Sequence, residues 1–294
     1  MSFLIAATLD EALHALADGA RPVAGGSDLV VGARHGKAPL PEHLVAIDRI
    51  DSLREIHHTA DGLIIGALVN HHTIETDVAV TGRYSALSDG SALVGSPATR
   101  HVGTIGGNVM NASPAMDTGA PLVVLGAEVE LQSLRGARRV PLHELWTGPG
   151  RTSAAPDELC VAIHIAAPMA RAASAYLRLE YRRAMEIAIV GAAASVTLAD
   201  DGSVASARVA LTAVAPTIIE VTGLGAGSVD EVVAAARQAA SQQARPISDL
   251  RASDHYRRHT VGVMAGRAVA AAARRAAGES ISSPLNRAVG IGAS

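Results

Sequence analysis

Aromatic residues are scarce in this 294-residue chain, which contains one Trp, one Phe and four Tyr. Proteins that bind single-stranded nucleic acid stack its bases on aromatic side chains, and this sequence offers very few of them. The net charge of −3 and the lack of a basic block argue against nucleic acid as well. We therefore expect no nucleic-acid partner, and a core packed with small aliphatic side chains.

Cysteine is almost absent, since Cys160 is the only one. An intramolecular disulfide is therefore impossible, and so is an iron–sulfur cluster bound by cysteines of this chain alone. Cys160 lies in the apolar run from Leu159 to Ile165. We interpret it as a small buried hydrophobic residue rather than a reactive thiol.

The sequence also lacks an uninterrupted apolar run of about 18 residues, so no membrane span is expected. Its first residues do not form a basic region followed by an apolar core, as a secretory signal would. We expect a soluble, cytoplasmic protein. The adjacent pairs His57–His58 and His71–His72 lack the spacing of metal ligands, so no metal site is predicted.

Glycine is abundant, and one cluster follows a short apolar segment near the amino terminus. The segment consists of Val23, Ala24, Gly25, Gly26, Ser27, Asp28 and Leu29. This order predicts a strand, a glycine turn and a helix to about Gly36, with Ser27 or Asp28 as its cap. A strand from His43 to Asp48 would close a βαβ unit. Backbone N–H groups and the helix dipole make such a turn a site for an anion.

A second glycine-rich segment extends from Gly103 to Asp117. The paired Gly106 and Gly107 allow positive φ angles and leave no Cβ between the main chain and a ligand. Successive N–H groups in such a turn form a concavity that binds anions. Short polar side chains follow at close spacing: Thr104, Asn108, Asn111 and Ser113. Either segment alone fits an ordinary turn between core strands. The two segments together predict that both bind the diphosphate of one dinucleotide.

A third glycine cluster, Gly223 to Gly227, has the spacing G-x-G-x-G instead of the dinucleotide-binding G-x-G-x-x-G. We interpret it as a flexible turn. The sequence also contains no P-loop and no G-x-S-x-G nucleophile elbow.

Three further features of the first half predict local structure. Thr8 and Glu11 have the spacing of a helix capping box, and Glu128 to Ser133 alternates as a strand does. His35 and Lys37 would lie at the solvated end of the helix that follows the first glycine turn.

The second half of the chain changes character after a boundary at Ala166 to Ala173. Three segments have the pattern of antiparallel strands, and two Ala-rich segments follow as helices. The strands are Ser174–Tyr181, Val190–Ala199 and Val204–Ala213, and the helices are Val229–Ser241 and His255–Ala277. Together they predict a compact α+β unit with the helices on one face of the sheet.

Taken in order, these segments resemble the FAD-binding subunit of the molybdenum hydroxylases, the xanthine dehydrogenase and carbon monoxide dehydrogenase family. The segments that carry the resemblance are Val23–Leu29, Gly103–Asn108, Ala112–Asp117, Thr147–Gly150, Tyr181–Arg183 and Pro246–Arg251. They span nearly the whole chain, and the second glycine-rich segment is the most specific.

The resemblance implies an α+β fold of two domains. Residues 1–170 would form a vanillyl-alcohol-oxidase-type FAD-binding domain of two α+β subdomains, at about 1–56 and 57–170. Residues 171–280 would form a C-terminal domain with a three-stranded antiparallel sheet and helices, like that of the carbon monoxide dehydrogenase flavoprotein. Residues 281–294 would be a loose tail, part of which is able to dock on a partner.

The resemblance also implies which residues bind the cofactor. The first loop would hold the pyrophosphate through backbone amides, and Thr104 with the amides of Gly106 and Gly107 would clamp it from the other side. Asn111 would lie along the ribityl chain, Asp117 at the adenosine and Val161 against the cofactor. Arg178 replaces a Lys that several relatives carry near the flavin ring, and Glu186 replaces an Asp. The predicted set is Val23, Ala24, Gly25, Gly26, Ser27, Asp28, Leu29, Thr104, Ile105, Gly106, Gly107, Asn108, Asn111, Ser113, Asp117, Val161 and Arg178.

The implied function is electron transfer. This chain would carry FAD, whereas the molybdenum-pterin cofactor and two [2Fe–2S] clusters would belong to a large and a small partner subunit, in a dimer of heterotrimers. Electrons taken from a purine or another N-heteroaromatic would cross the iron–sulfur subunit to FAD, then pass to NAD+, a quinone or oxygen. Two alternatives stay open: a stand-alone FAD-dependent oxidoreductase, and a non-catalytic assembly module.

Overall fold

The computed structural model describes residues 2–36 and 39–290. Lys37, predicted at the solvated end of a helix, and the tail residues 291–294 lie outside them. The helices are α1 (Leu9–Ala17), α2 (Ser27–Arg34), α3 (His71–Thr76), α4 (Val78–Arg83), α5 (Ser85–Ser91), α6 (Pro97–Val102), α7 (Ile105–Asn111), α8 (Gly119–Val124), α9 (Leu142–Leu145), α10 (Val229–Gln243), α11 (Asp254–Ala276) and α12 (Leu285–Ala288). Among them, none has the length and apolar character needed to cross a bilayer.

The strands form four sheets, the smallest of which is the pair β8–β9. The strands are β1 (Ser2–Ile5), β2 (Arg21–Val23), β3 (His43–Ala46), β4 (Ile56–His58), β5 (Gly62–Gly66), β6 (Glu128–Ser133), β7 (Gly136–Pro141), β8 (Trp146–Gly148), β9 (Arg151–Thr152), β10 (Leu159–Ala166), β11 (Ala172–Leu179), β12 (Val190–Leu198), β13 (Val204–Thr212) and β14 (Ile219–Val221). The predicted α+β class is confirmed.

The amino-terminal sheet is parallel, with the order β1-β3-β2. Helix α1 begins with a capping box, in which Thr8 Oγ1 accepts from the Glu11 N–H at 3.2 Å and Glu11 Oε2 accepts from the Thr8 N–H at 3.3 Å. β2, α2 and β3 form the predicted βαβ unit. The cap of α2 differs from the prediction, because Gly26 occupies that position and no side chain caps the helix.

The second sheet is antiparallel, with the order β4-β5-β10-β6-β7, and helices α3 to α8 belong to the same stretch of chain. β6 alternates as predicted, burying Val129, Leu131 and Ser133. The glycine-rich segment from Gly103 to Asp117 is not an open loop throughout, because residues 105–111 form α7. This helix places Ile105 and Val109 in the core.

The carboxy-terminal sheet is antiparallel, with the order β11-β12-β13-β14. The three predicted strands are present, and the short β14 adds a fourth. Helices cover one face as expected, but the other face is buried too. Ala192 and Ala194 pack in one core with α11, whereas Ala193, Tyr176 and Ala210 pack in the core of the five-stranded sheet. Small side chains allow this close packing on both faces, because they keep the layers thin.

The segment after α11 is docked instead of loose, contrary to the expectation for the tail. Leu285 and Asn286 are fully buried. Asp89 Oδ1 accepts from Ser283 Oγ at 2.8 Å and from the Leu285 N–H at 3.0 Å. Local sequence did not reveal this docking, because the acceptor Asp89 lies almost 200 residues earlier in the chain.

Candidate functional site

The two glycine-rich segments are in direct contact, as the dinucleotide hypothesis required. A Cβ built on Gly25 would lie 1.9 Å from the carbonyl oxygen of Val102 and 3.3 Å from the nitrogen of Gly103. Only glycine allows two backbones to approach so closely. The turn after β2 and the end of α6 are therefore packed main chain against main chain.

The first segment presents unused main-chain donors. Within the described residues, no acceptor lies at the N–H groups of Gly25, Gly26, Ser27 and Leu29. Gly26 has φ +68°, which turns the chain into the first turn of α2. Unpaired N–H groups at the start of an eight-residue helix attract an anion. This arrangement is the one expected of a diphosphate-binding turn.

In the second segment, main-chain N–H groups donate to acceptors within the protein. Thr104 Oγ1 accepts from the Gly107 N–H at 3.1 Å and thereby caps α7, and the Gly106 N–H donates to the Ala67 carbonyl at 3.0 Å. The Ile105 N–H donates to Val69 at 2.9 Å. The N–H groups of Gly106 and Gly107 thus have acceptors within the protein, and a clamp on the pyrophosphate by these two amides stays a prediction.

Gly106 is needed because Ala67 packs closely against it, and its backbone conformation is not one that favours glycine. Its Cβ would lie 2.6 Å from the Cβ of Ala67 on the strand side of the segment. Gly107 is different, because Thr104 Oγ1, at 3.0 Å, is the one atom within 4 Å of its Cβ position in the described structure. The open side of Gly107 leaves room for a ligand.

A cleft of about 300 Å³ opens where the two segments meet. It is lined by Ala24, Gly25, Asp48, Arg54, Leu68, Asn70, His101, Val102 and Thr104. Arg54 and Asn70 bring side-chain donors beside the backbone of the first segment, although Arg54 also donates to the carbonyl of Asp48. Nothing in the sequence around Arg54 marks this residue as part of a binding site. The donors in and beside this cleft suit a phosphate-containing ligand.

Several residues predicted to bind the cofactor are buried or hydrogen-bonded within the protein. Ile105 is fully buried, and Val161 is 6% exposed in the core between the first two sheets, where its carbonyl accepts from the Ala67 N–H. Their side chains are therefore not exposed to a cofactor. Asn108 Oδ1 accepts from Thr118 Oγ1 at 2.6 Å, and Ser113 Oγ accepts from the Ala115 N–H. Asn111 is exposed at the end of α7 and makes no contact that excludes the predicted ribityl position.

Asp117 belongs to a buried network that crosses to the carboxy-terminal sheet. Its Oδ1 accepts from the Tyr176 hydroxyl at 2.8 Å, and its Oδ2 accepts from Arg178 Nη1 at 2.6 Å. Burial raises the pKa of Asp117 to about 6, although Arg178 and the Tyr176 hydroxyl oppose the shift. Both carboxylate oxygens have protein partners, and the contact of Asp117 with adenosine stays a prediction.

Arg178 is the centre of that network. Its side chain is fully buried, and Nε donates to Glu180 Oε2 at 2.7 Å. Nη1 also donates to the Glu186 carbonyl at 3.2 Å, whereas Nη2 is buried and has no partner in the described part of the chain. A buried donor without an acceptor is costly and rare in native proteins. Nη2 has almost no accessible surface, so in the described structure it does not face an open cleft.

Two members of the network, Tyr176 and Glu180, were missed in the sequence analysis. They precede and follow Arg178 by two residues, so the three side chains lie on one face where β11 ends. This alternation of polar side chains was visible in the sequence. Its partner Asp117, 61 residues before Arg178, was not predictable from local pattern.

The histidine pairs show no metal-binding arrangement. His72 stacks on His101 with ring centroids 4.0 Å apart, and burial lowers the pKa of His71 to about 4. Across the described residues, no group of three or more His, Cys, Asp or Glu side chains is placed to hold a metal ion.

Comparison with protein families gives two matches that together span most of the chain. Residues 1–168 match the FAD binding domain in molybdopterin dehydrogenase, and residues 175–272 match the CO dehydrogenase flavoprotein C-terminal domain. The gap between the two matches lies at the start of β11, where the carboxy-terminal sheet begins.

Individual proteins are similar over nearly the full length. The putative xanthine dehydrogenase FAD-binding subunit XdhB of Escherichia coli is 32% identical over 287 residues, which cover 95% of this chain and 98% of that protein. The carbon monoxide dehydrogenase medium chain of Afipia carboxidovorans is 33% identical, with 90% and 92% covered. A solved carbon monoxide dehydrogenase from Hydrogenophaga pseudoflava, which lacks the Mo-pyranopterin moiety of its cofactor, superimposes with a TM-score of 0.88 at 30% identity, with 94% and 98% covered.

Proposed function

Because the chain belongs to the FAD-binding subunits of the molybdenum hydroxylase family, we propose that it passes electrons through FAD within a larger hydroxylase complex. When bound, FAD supplies the redox chemistry, since a flavin accepts electrons singly and delivers them in pairs. The protein supplies binding, orientation and the electrostatic environment. No residue of this chain needs to contact the hydroxylated substrate.

The observation that carries the proposal is the set of free donors where the two segments meet. The N–H groups of Gly25, Gly26, Ser27 and Leu29 would hold the diphosphate, and the adjoining cleft has room for the groups beside it. The place of Arg178 near the flavin ring stays a prediction, since its side chain is fully buried and does not line this cleft. The residues present thus fit FAD, although the second segment contributes shape more than amide donors.

The proposal also includes the partner subunits, the substrate class and the electron acceptor. We expect an iron–sulfur small subunit and a molybdopterin large subunit, in a dimer of heterotrimers located in the cytoplasm. The relative from Escherichia coli is named as a xanthine dehydrogenase subunit, which supports a purine or another N-heteroaromatic as the substrate class. NAD+, a quinone or oxygen would accept the electrons.

Purification of the full-length chain from its host, with analysis of flavin, iron, molybdenum and co-purifying subunits, tests the proposal. We expect FAD in stoichiometric amount and two further subunits that contain the metals. A colourless protein that takes up no added FAD would contradict it. Oxidation of a small molecule by the isolated chain would favour a stand-alone flavoprotein instead.

A further inference from the structure

Strand β1 is an edge strand of the amino-terminal sheet, because the order β1-β3-β2 gives it one neighbour. The N–H groups of Ser2 and Ala6 donate to main-chain carbonyl oxygens on the β3 side, over 2.7 and 2.9 Å. Main-chain groups of successive residues in a strand point to opposite sides, so the N–H groups of Phe3 and Ile5 point away from β3. These two groups are placed to pair with a further strand.

Nothing in β1 protects this edge. Sheets block an open edge with charged residues, with proline or with a covering segment. The edge of β11 is covered by Asn286, whose Oδ1 accepts from the Arg178 N–H at 3.0 Å and whose Nδ2 donates to the Arg178 carbonyl at 2.8 Å. In the described structure, the other edge strands of the three larger sheets contain ionisable residues or proline, whereas β1 contains neither. These residues are Arg21 and Pro22 in β2, His57 and His58 in β4, Arg138 and Arg139 in β7, and Glu220 in β14.

The large apolar side chains of β1 are exposed to solvent. Phe3 is 59% exposed, Leu4 is 47% exposed and Ile5 is 45% exposed. Because side chains alternate along a strand, Phe3 and Ile5 lie on one face of the sheet and Leu4 lies on the other. A strand added beside β1 would cover apolar surface on both faces and pair with the outward main-chain groups.

A groove of about 410 Å³ lies beside this edge, between α1 and the first residues of β1 and β3. Its lining includes the apolar Leu4 and three carboxylates, those of Asp10, Glu11 and Asp18, and no Lys or Arg of the described residues contributes to it. Glu11 accepts from main-chain N–H groups in the cap of α1. Asp10 and Asp18 are exposed, so they are the carboxylates that would attract a basic side chain in the groove.

The carboxylates favour one kind of occupant over another. A second copy of this chain would pair its β1 with this β1 about a twofold axis, since such an interface uses the same surface twice. That arrangement would place two acidic α1 helices on the same face of the joined sheet, where like charges oppose association. A segment of another protein that contains Lys or Arg would be attracted to the same groove.

We propose that the open edge of β1 binds an extended segment of a partner subunit, which adds a fourth strand to the amino-terminal sheet and places a Lys or Arg beside Asp10 and Asp18. The proposal rests on the function proposed above for the source of this segment. Strand β2 of the same sheet leads into the glycine turn with the free N–H groups. The added strand would therefore hold the partner in a fixed position relative to that turn.

Hydrogen exchange tests the proposal without a mutation. The complex purified from its host is compared with the full-length chain alone. We expect the amides of Phe3 and Ile5 to exchange at least about tenfold more slowly in the complex, because only there do they have acceptors. The amides of the β7 edge are the internal control and should exchange equally in both samples.

Three results of this experiment would overturn the proposal. The first is equal exchange of Phe3 and Ile5 in the two samples. The second is equal slowing at the edges of β1 and β7, which would show a general stabilisation. The third is protection of β1 in the chain alone together with a dimer in sedimentation, which would identify a second copy as the occupant.

Substitution of Ile5 tests the pairing directly. Ile5→Pro removes the outward N–H and no hydrogen bond to β3, so it should weaken binding of the partner subunits at least about tenfold and leave thermal unfolding of the chain nearly unchanged. Ile5→Ala, which keeps the N–H, is the matched control and should weaken binding less. If Ile5→Pro does not fold, Ile5→Lys places a charge on the edge instead. Unchanged binding by the folded variant would contradict the proposal.

The charge of the groove is tested with a double variant, Asp10→Asn with Asp18→Asn. It should weaken binding of the partner subunits by about threefold to tenfold at low salt and have little effect at high salt, because salt screens exposed charges. Asp200→Asn, an exposed carboxylate between β12 and β13, is the control and should have no effect. An equal loss at all salt concentrations, or no loss, would remove the basic residue from the proposal and overturn it.

The two proposals fail in different ways. A complex that contains FAD but leaves β1 unprotected would contradict this inference alone. A chain that takes up no FAD and has no partner subunit would contradict the proposed function, and this inference with it.

Discussion

The two glycine-rich segments contact each other, and the fold uses the glycine pair of each segment in a different way. Gly25 and Gly26 form a turn with unused N–H groups, and Gly26 has a positive φ. Gly106 and Gly107 lie inside α7, and their N–H groups donate to Ala67 and Thr104. The first pair provides hydrogen-bond donors, and the second provides space. A glycine pair in a sequence therefore does not reveal which of these it contributes.

The largest effect is expected from Gly25→Val, because its Cβ would overlap the Val102 carbonyl at 1.9 Å. The two segments would be forced apart, and both FAD retention and stability should be lost. Flavin absorbance of the purified protein and its thermal unfolding measure this. Gly32→Ala in α2 is the control and should retain flavin, since no atom of the described residues outside its own helix and chain neighbours lies within 4 Å of its Cβ position. Retention of flavin by Gly25→Val would show that FAD binding does not need the close contact between the two segments.

Gly107→Val should fold but lose FAD. Its Cβ position is open apart from Thr104 Oγ1, so a branched side chain would occupy the space expected for the diphosphate. Circular dichroism checks the fold, and the ratio of flavin to protein absorbance checks the cofactor. A variant with normal flavin content would remove Gly107 from the site and leave the first pair as the main ligand-binding element.

Asp117, at the end of the second segment, should make stability depend on pH. Its pKa is about 6 in the folded protein and near 3.8 without the fold, so the folded state binds its proton more tightly. Between pH 4 and pH 6 the folded state therefore holds more protons, and stability should fall as pH rises, by roughly 3 kcal/mol in total.

Asp117→Asn should abolish this pH dependence. The difference between the unfolding free energies of wild type and variant, measured from pH 4 to pH 7, isolates the contribution of this group. A difference that does not change with pH would mean that the carboxylate is better compensated by Arg178 than its burial indicates.

The smallest effect is expected from Gly106→Ala. The added methyl group would lie 2.6 Å from Ala67 Cβ, which should cost about 1–3 kcal/mol of stability through overpacking. Reconstituted FAD should bind with nearly normal affinity, because the Gly106 N–H donates to the protein. Chemical denaturation and flavin titration separate the two quantities. Weak FAD binding with normal stability would mean that both glycine pairs bind the ligand directly.

Sequence reasoning was most successful where local chemistry decides the structure. The capping box of Thr8 and Glu11, the alternation in β6 and the two long Ala-rich helices formed where they were predicted. Each depends on side chains within one or two turns of each other. The two glycine segments were predicted from their residues to share one ligand, and they are in contact although about eighty residues separate them.

The same reasoning failed where the partner is distant. The pairing of Asp117 with Tyr176 and Arg178 was not predicted, and its contact with the adenosine stays a prediction. The tail was expected to be loose, but Asn286 pairs with Arg178. No local sequence pattern distinguishes a carboxylate that binds a ligand from one that pairs with an arginine of another domain.

The sequence by itself determined the α+β class, the order of the elements and the glycine turn after β2, because these follow from periodicity, capping and the backbone freedom of glycine. Only the tertiary structure decided which N–H groups remain free, where Arg178 is held and what covers the edge of β11. Those features depend on contacts between segments far apart in the chain, and such contacts exist only once the two domains have packed together.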